Sequence, residues 1–297
     1  MSRPCSRSDW NRKLRWSVRT VSLVKEASIE DQQRLASQLR GRLVEMSHAA
    51  RAPHLGSALS CVELLVAAYW GALRVDPRQP QDPQRDRFIL SKGHAASVLY
   101  AVLAARGFFP WQWLADYGQP GGCLPEQMSP GCVPGVEAAT GSLGHGLSLG
   151  SGMALAGRIQ RRDYRVWVVL SDGECNEGSV WEAAMFAAAQ RLTNMVALVD
   201  FNRWQATGRS EEILAISPLA DKWTAFGWQV LEVDGHDLSE VHGALERWLL
   251  SGRGPTCIIA RTIKGRGVSF MEDDNNWHYR IPSVDEVRAA HVELGLV

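Results

Sequence analysis

The stretch from Val166 to Asn202 constrains the fold most. It opens on the apolar run Val166 to Leu170, which ends abruptly in Ser171-Asp172-Gly173. A helical segment follows, and then a second apolar run, Met195 to Val199, ends in Asp200-Phe201-Asn202. Neither run alternates polar and apolar residues, as expected of parallel strands buried on both faces, so the stretch is a β-α-β unit. In such sheets ligands collect beyond the carboxyl ends of the strands, which puts Asp172 and Asn202 side by side at one rim.

A carboxylate and an amide carbonyl are hard oxygen ligands. Together they suit magnesium or calcium, which complete their shell with phosphate and water, and they do not suit zinc. Gly173 lets the backbone approach a phosphate group, and Glu174, Asn176 and Glu177 crowd the start of the next helix. On Asp-Gly alone a simple strand-end turn is the better reading; the matching Asp-x-Asn at the end of the neighbouring strand tips the reading toward a site.

This pairing, Asp172-Gly173 followed a helix and a strand later by Asp200-Phe201-Asn202, resembles the thiamine diphosphate fingerprint of the transketolase group. Within that group the chain is similar to the amino-terminal, diphosphate-binding half of transketolase, in the form encoded as a separate chain. The resemblance runs from Ile29 to about His278. It implies thiamine diphosphate, with Mg2+ or Ca2+, held by Asp172, Asn202 and the backbone carbonyl of Trp204. Gly173 and Glu177 fall in the same cofactor loop.

Composition agrees with one large soluble α/β unit. The chain has 297 residues, 45% hydrophobic and 22% charged, and its 32 basic and 32 acidic side chains leave no overall field to draw nucleic acid or a membrane surface. No apolar stretch approaches a membrane span or a signal peptide, so the cytoplasm is the expected compartment. The six cysteines form no C-x-x-C pair and read as reduced thiols; Cys175, inside the cofactor loop, reads as a small loop residue. Residues 1–27 are basic and lack apolar periodicity, as in a flexible or partner-facing extension; residues 28–297 make up the cofactor domain.

From Ser28, a capping residue, Leu35, Leu39, Leu43 and Met46 recur at helical spacing. The chain then reaches Ala52-Pro53-His54-Leu55-Gly56-Ser57, where a buried helix begins just after His54, and Ser60-Cys61-Val62-Glu63 has the form of a capping box. His54 falls in a segment similar to the family's S-G-H-P-G-G, with the proline displaced. The strand Arg87 to Leu90 ends in Ser91-Lys92-Gly93-His94, which resembles L-S-x-G-H, whose histidine lies beside the thiazolium and diphosphate.

A Gly-, Pro- and aromatic-rich loop, in which Trp111, Trp113 and Tyr117 are expected to pack, leads to Thr140-Gly141-Ser142-Leu143-Gly144 and the small-residue helix Leu147 to Arg158. By resemblance Gly141 and Leu143 touch the cofactor rings. Upstream, the family's donor-site histidine is missing, with Gln127 in its place in an ungapped alignment and Leu124 in a gapped one. Ser217-Pro218 reads as a helix start with serine as cap. Strands over Trp228 to Val233 and Thr256 to Ala260 flank a helix, Leu238 to Leu250, completing a mostly parallel sheet with helices on both faces. The tail from Arg261 to Phe270, then Trp277-His278, is similar to T-I-K-G-x-G-V…W-H. There Lys264 would face phosphate and His278 the diphosphate and substrate channel.

Thiamine diphosphate brings its own carbanion chemistry; the protein anchors and polarises it. The family's polarising glutamate belongs to a pyrimidine-binding domain, for which Val297 leaves no room. The expectation is therefore half of a two-subunit enzyme, assembled with a carboxyl-half partner as a heterotetramer. The complete enzyme would move a two-carbon ketol unit from a ketose to an aldehyde, with His54, His94 and His278 handling protons and Gln127 at the donor site. The competing readings are a subunit for keto-acid decarboxylation or acyl transfer, and a non-catalytic scaffolding paralogue.

Overall fold

A computed structural model describes residues 27–297; the basic stretch over residues 1–27 lies, except for Ala27, outside the described residues. Five parallel strands form one sheet: β1 (Arg87–Leu90), β2 (Val166–Ser171), β3 (Met195–Phe201), β4 (Gln229–Asp234) and β5 (Thr256–Arg261), in spatial order β1-β2-β3-β5-β4. The helices are α1 (Ile29–Ala50), α2 (Leu55–Ser60), α3 (Val62–Ala67), α4 (Ala96–Ala105), α5 (His145–Ile159), α6 (Gly178–Ala189), α7 (Ser210–Leu214), α8 (Leu219–Ala225), α9 (Leu238–Ser251) and α10 (Val284–Glu293).

The unbroken apolar runs of the central strands serve two cores. Trp167, Val169, Val196, Leu198 and Ile258 point to one face, where α1, α3, α4 and α9 pack. Val166, Val168, Leu170, Met195, Ala197, Val199 and Ile259 point to the other, beneath α5, α6 and α8. Successive side chains of a strand alternate faces, so a two-sided core requires an apolar residue at every position. The segment between β3 and β4 covers one face and α9, between β4 and β5, covers the other. β3 and β5 are neighbours, so their carboxyl ends flank the point where the connections diverge, the usual ligand crevice of open α/β sheets.

Local signals read in the sequence fare unevenly. Ser28 caps α1 in a reciprocal pair with Asp31. Ser60-Cys61-Val62-Glu63 is not a capping box: Ser60 ends α2, its hydroxyl donates to Asp200, and Glu63 pairs with Arg40 instead of reaching back. Nor does Ser217 cap α8. It precedes a cis peptide to Pro218, its hydroxyl donates to Glu211, and α8 starts at Leu219. In both places a tertiary carboxylate outcompetes the local backbone for the serine. The aromatic loop packs as expected: Tyr117 is buried, and Phe109 and Trp113 stack with ring centroids 5.8 Å apart.

Candidate active site

The carboxyl rim gathers the polar turns that follow β1, β2, β3 and β5. Ser171 pairs with Asp200 in the sheet register, and the Asp172 N–H donates to the Asp200 carbonyl at 3.2 Å, so the two strand ends are locked together. Asp172 is fully buried. Its Oδ2 accepts from the Ser210 hydroxyl at 2.7 Å, while Oδ1 has no hydrogen-bond partner among the described residues. Burial pushes its pKa up to about 6, with the neighbouring Asp200 carboxylate adding to the rise. A buried, half-satisfied carboxylate is costly unless a cation occupies its free side.

Asn202 stands beside it. Its Nδ2 donates to Asp200 at 3.0 Å, which turns Oδ1 away; that oxygen accepts from the Trp204 N–H at 3.0 Å. Asp200 itself is spent on the scaffold. It is fully buried, paired with the buried Lys92, and accepts from Ser60 at 2.6 Å and from Thr262. The ammonium and hydroxyls hold Asp200 ionised despite its burial, with its pKa lowered. The two strand-end aspartates thus have opposite roles, one satisfied by protein and one left open. This openness, with an amide oxygen beside it, fits a hard cation that takes its remaining ligands from a diphosphate and water. Among the described residues no three His, Cys, Asp or Glu side chains form a metal cage.

Glu174, read in the sequence only as one of the residues crowding the next helix, organises the rim. Buried, it accepts from the Ser91 hydroxyl, from the Gly144 N–H at 2.8 Å and from the Ser171 N–H at 3.3 Å, tying together the turns after β1 and β2 and the glycine loop before α5. Glu177, in the cofactor loop by resemblance, stands exposed at the start of α6, beside Gly144. Asp200 was named as the first residue of the Asp-x-Asn strand end, but its scaffold role, and those of Lys92, Ser60, Ser210 and Thr262, were missed. The available signal was that Lys92 and Asp200 are ionisable residues next to buried strand ends. Cys175 is a buried thiol donating to the Ser171 carbonyl at 3.6 Å, and burial pushes its pKa well up, which disfavours the thiolate a nucleophile needs.

Three imidazoles converge above this floor. The ring centroids of His54 and His278 are 4.9 Å apart, those of His54 and His94 5.4 Å, and those of His94 and His278 5.9 Å. His54 adopts a left-handed conformation (φ 70°) just before α2, and its N–H donates to the His278 carbonyl at 2.7 Å, so strain in one segment is held by the other. Lys264, fully buried, donates to Asn275 Oδ1 at 2.7 Å and lies 3.0 Å from His278 Nδ1. Burial, reinforced by Lys92, drives its pKa down to about 7. An ammonium can only donate, so a charged Lys264 leaves the His278 proton on Nε2. All three histidines have lowered pKa values, chiefly from burial, with His278 at about 3. Burial thus disfavours the charged imidazolium in this cluster, and a neutral imidazole offers one donor and one acceptor nitrogen.

The glycine loop closes one side. A Cβ on Gly93 would meet the Thr140 carbonyl oxygen at 2.3 Å, so the turn carrying His94 packs directly on the backbone leading to Gly141. Gly141 is exposed, and a Cβ there would lie 2.7 Å from Gln127 Oε1. Gln127 is itself exposed, whereas Leu124 is wholly buried in the core. Of the two alignments of the missing histidine, the geometry favours the ungapped one. Leu143, half-buried, follows on the same loop.

The fold and this rim define a class: an α/β domain whose polar turns gather at the carboxyl ends of a parallel sheet, where such folds bind ligands. The thiamine diphosphate binding domain of transketolase, as a family model, matches residues 31–297, and the chain belongs to the transketolase family. It is 40% identical over 255 residues to one chain of the apulose-4-phosphate transketolase of Phocaeicola vulgatus, a protein named as a subunit, covering 86% of this chain and 90% of that protein. It is 39% identical over 264 residues to a 6-deoxy-6-sulfo-D-fructose transketolase subunit of Clostridium sp., covering 89% and 96%. Among solved structures it resembles a Pichia stipitis transketolase in complex with sedoheptulose-7-phosphate, with a TM-score of 0.83 and 27% identity. That match covers 89% of this chain but 40% of the other, so the chain spans well under half of the solved enzyme.

Proposed function

We propose that this chain is the amino-terminal, cofactor-anchoring subunit of a two-subunit transketolase that moves a two-carbon ketol unit from a ketose to an aldehyde. The observation that carries the reading is the split fate of the strand-end aspartates: Asp200 is saturated by Lys92, Ser60 and Thr262, while Asp172 keeps one buried oxygen without a partner. Asp172 and Asn202, with the Trp204 carbonyl, would hold Mg2+ or Ca2+; Lys264 and His278, with Gly173, would line the diphosphate; Gly141 and Leu143 would face the rings. Glu177, exposed beside Gly144 in the cofactor loop, would stand at the edge of the cofactor site. Thiamine diphosphate, when bound, supplies the carbanion chemistry of C–C cleavage. Around it His54, His94 and His278, as neutral imidazoles, would hydrogen-bond substrate oxygens and accept or return protons. Gln127 would bond donor hydroxyls without carrying a proton.

A carboxyl-half subunit would provide the pyrimidine-binding domain and its glutamate, in a heterotetramer of the cytoplasm. The two relatives named as transketolase subunits support the two-chain arrangement, and their names, a sugar phosphate and a sulfo-sugar, point to a donor or acceptor carrying an anionic group. The decisive test is titration of thiamine diphosphate into the chain and its complex with magnesium present. Asp172→Ala should lose affinity by several orders of magnitude, each tenfold being about 1.4 kcal/mol. Unchanged affinity would refute the metal assignment.

A further inference from the structure

We propose that Tyr279 forms part of the substrate wall and sets which hydroxylated carbon chains the enzyme accepts, an inference that rests on the ketol-transfer reading above. Tyr279 follows His278 directly, and its side chain is 61% exposed, so no core requirement explains the aromatic residue. An exposed aromatic alone is unremarkable in a folded protein. This one, however, meets the edge of His278, with centroids 4.7 Å apart at an interplanar angle of 70°, and lies 6.1 Å from His54. It stands at the rim of the imidazole cluster, between that cluster and solvent.

Its position is fixed by the backbone. The Tyr279 N–H donates to the Asn276 carbonyl at 3.2 Å, closing the turn Asn275–His278, and the His278 carbonyl is held by the His54 N–H at 2.7 Å. Side chains on either side point elsewhere. Trp277 is buried with its indole donating to Phe270, and Arg280 lies over the Trp277 ring at 4.5 Å while pairing with Glu286. The chain therefore turns Trp277 into the core, His278 into the site, Tyr279 to its mouth and Arg280 onto the outer surface. A tyrosine has only two side-chain torsions to order, packs its ring face on the C–H surface of a sugar, and offers a hydroxyl to a polyol. The ligand class is an open-chain polyhydroxylated aldehyde or ketone, and the part contacted is the carbon chain beyond the reacting carbonyl.

The test uses the reconstituted two-subunit enzyme with one donor and a series of aldehyde acceptors from two carbons upward. Wild-type turnover is measured first; none with any pair would refute the ketol-transfer reading itself and not the role of Tyr279. Given turnover, Tyr279→Ala should lower kcat/KM about tenfold or more for long hydroxylated acceptors while changing the shortest one less than threefold. Tyr279→Phe should retain the ring's share of this preference. The affinity between the two chains, measured by sedimentation, should stay unchanged. Equal losses on every acceptor, or a loss matched by weaker association of the two chains, would overturn the proposal and make Tyr279 a partner contact.

Discussion

Lys264 shows how much a single residue's setting changes its chemistry. Free lysine titrates near 10.5, but burial brings this one to about 7. Between those values the unfolded chain holds a proton that the folded chain does not. Stability contributed at this position therefore rises with pH from about 7 to 10.5, and below about 7 the cost of the buried charge is fully present. In urea unfolding, Lys264→Met should stabilise the cofactor-free chain more at pH 7 than at pH 9; an equal gain at both would mean that the amine keeps an ordinary pKa. A diphosphate would reverse the balance by recharging the amine, so the destabilising buried cation is better understood as a binding group than as a structural one. Gln127 makes the complementary case. If it faces the donor, Gln127→His should raise kcat on ordinary sugar phosphates with little change in KM, because an imidazole restores a proton carrier without adding a new contact. Equal rates for both proteins on every donor would place the side chain away from the substrate.

At the level of elements, what could be read in the sequence was what depends on short range. Apolar runs located β2 and β5 to within one residue and β3 to within two, and the residues ending them marked the rim. Helical spacing found α1 and α9 in the same way. What could not be read was which polar residue turns inward, since that depends on partners far apart in the chain. Ser60 and Asp200 are 140 residues apart, and Ser91 and Glu174 are 83 apart. Serines with the sequence form of helix caps were recruited by carboxylates, and Glu174 rather than Glu177 became the buried tie between three turns. Removing that tie should be costly. Glu174→Ala leaves the Gly144 and Ser171 N–H groups and the Ser91 hydroxyl without their acceptor, for a loss on the order of 3 kcal/mol. Glu177→Ala, exposed, should stay within about 0.5 kcal/mol. Denaturant unfolding of the two variants makes the comparison, and similar losses would contradict the role given to Glu174.

For the whole molecule, the described groups of the site lie along the carboxyl rim of the sheet. The sheet, its two cores and the strand-end carboxylates supply a floor and one wall for an anionic cofactor. In the proposed arrangement Asp172, Asn202, Lys264 and His278 would all address the diphosphate end. In the proposed two-chain enzyme, the acid that acts on the far side of the aminopyrimidine comes from the carboxyl-half partner. A site that anchors a cofactor without polarising it can bind and still not turn over. The purified chain should therefore bind thiamine diphosphate weakly with magnesium, show no ketol transfer, and gain activity in proportion to added carboxyl-half partner, saturating at one partner per chain. If the assembly is a heterotetramer with two sites, activity and a species of two chains of each kind should appear together in size-exclusion chromatography with light scattering. Full turnover by this chain alone would show that the polarising acid is already present within it, and the search for that acid would then return to the buried carboxylates of the rim, beginning with Glu174.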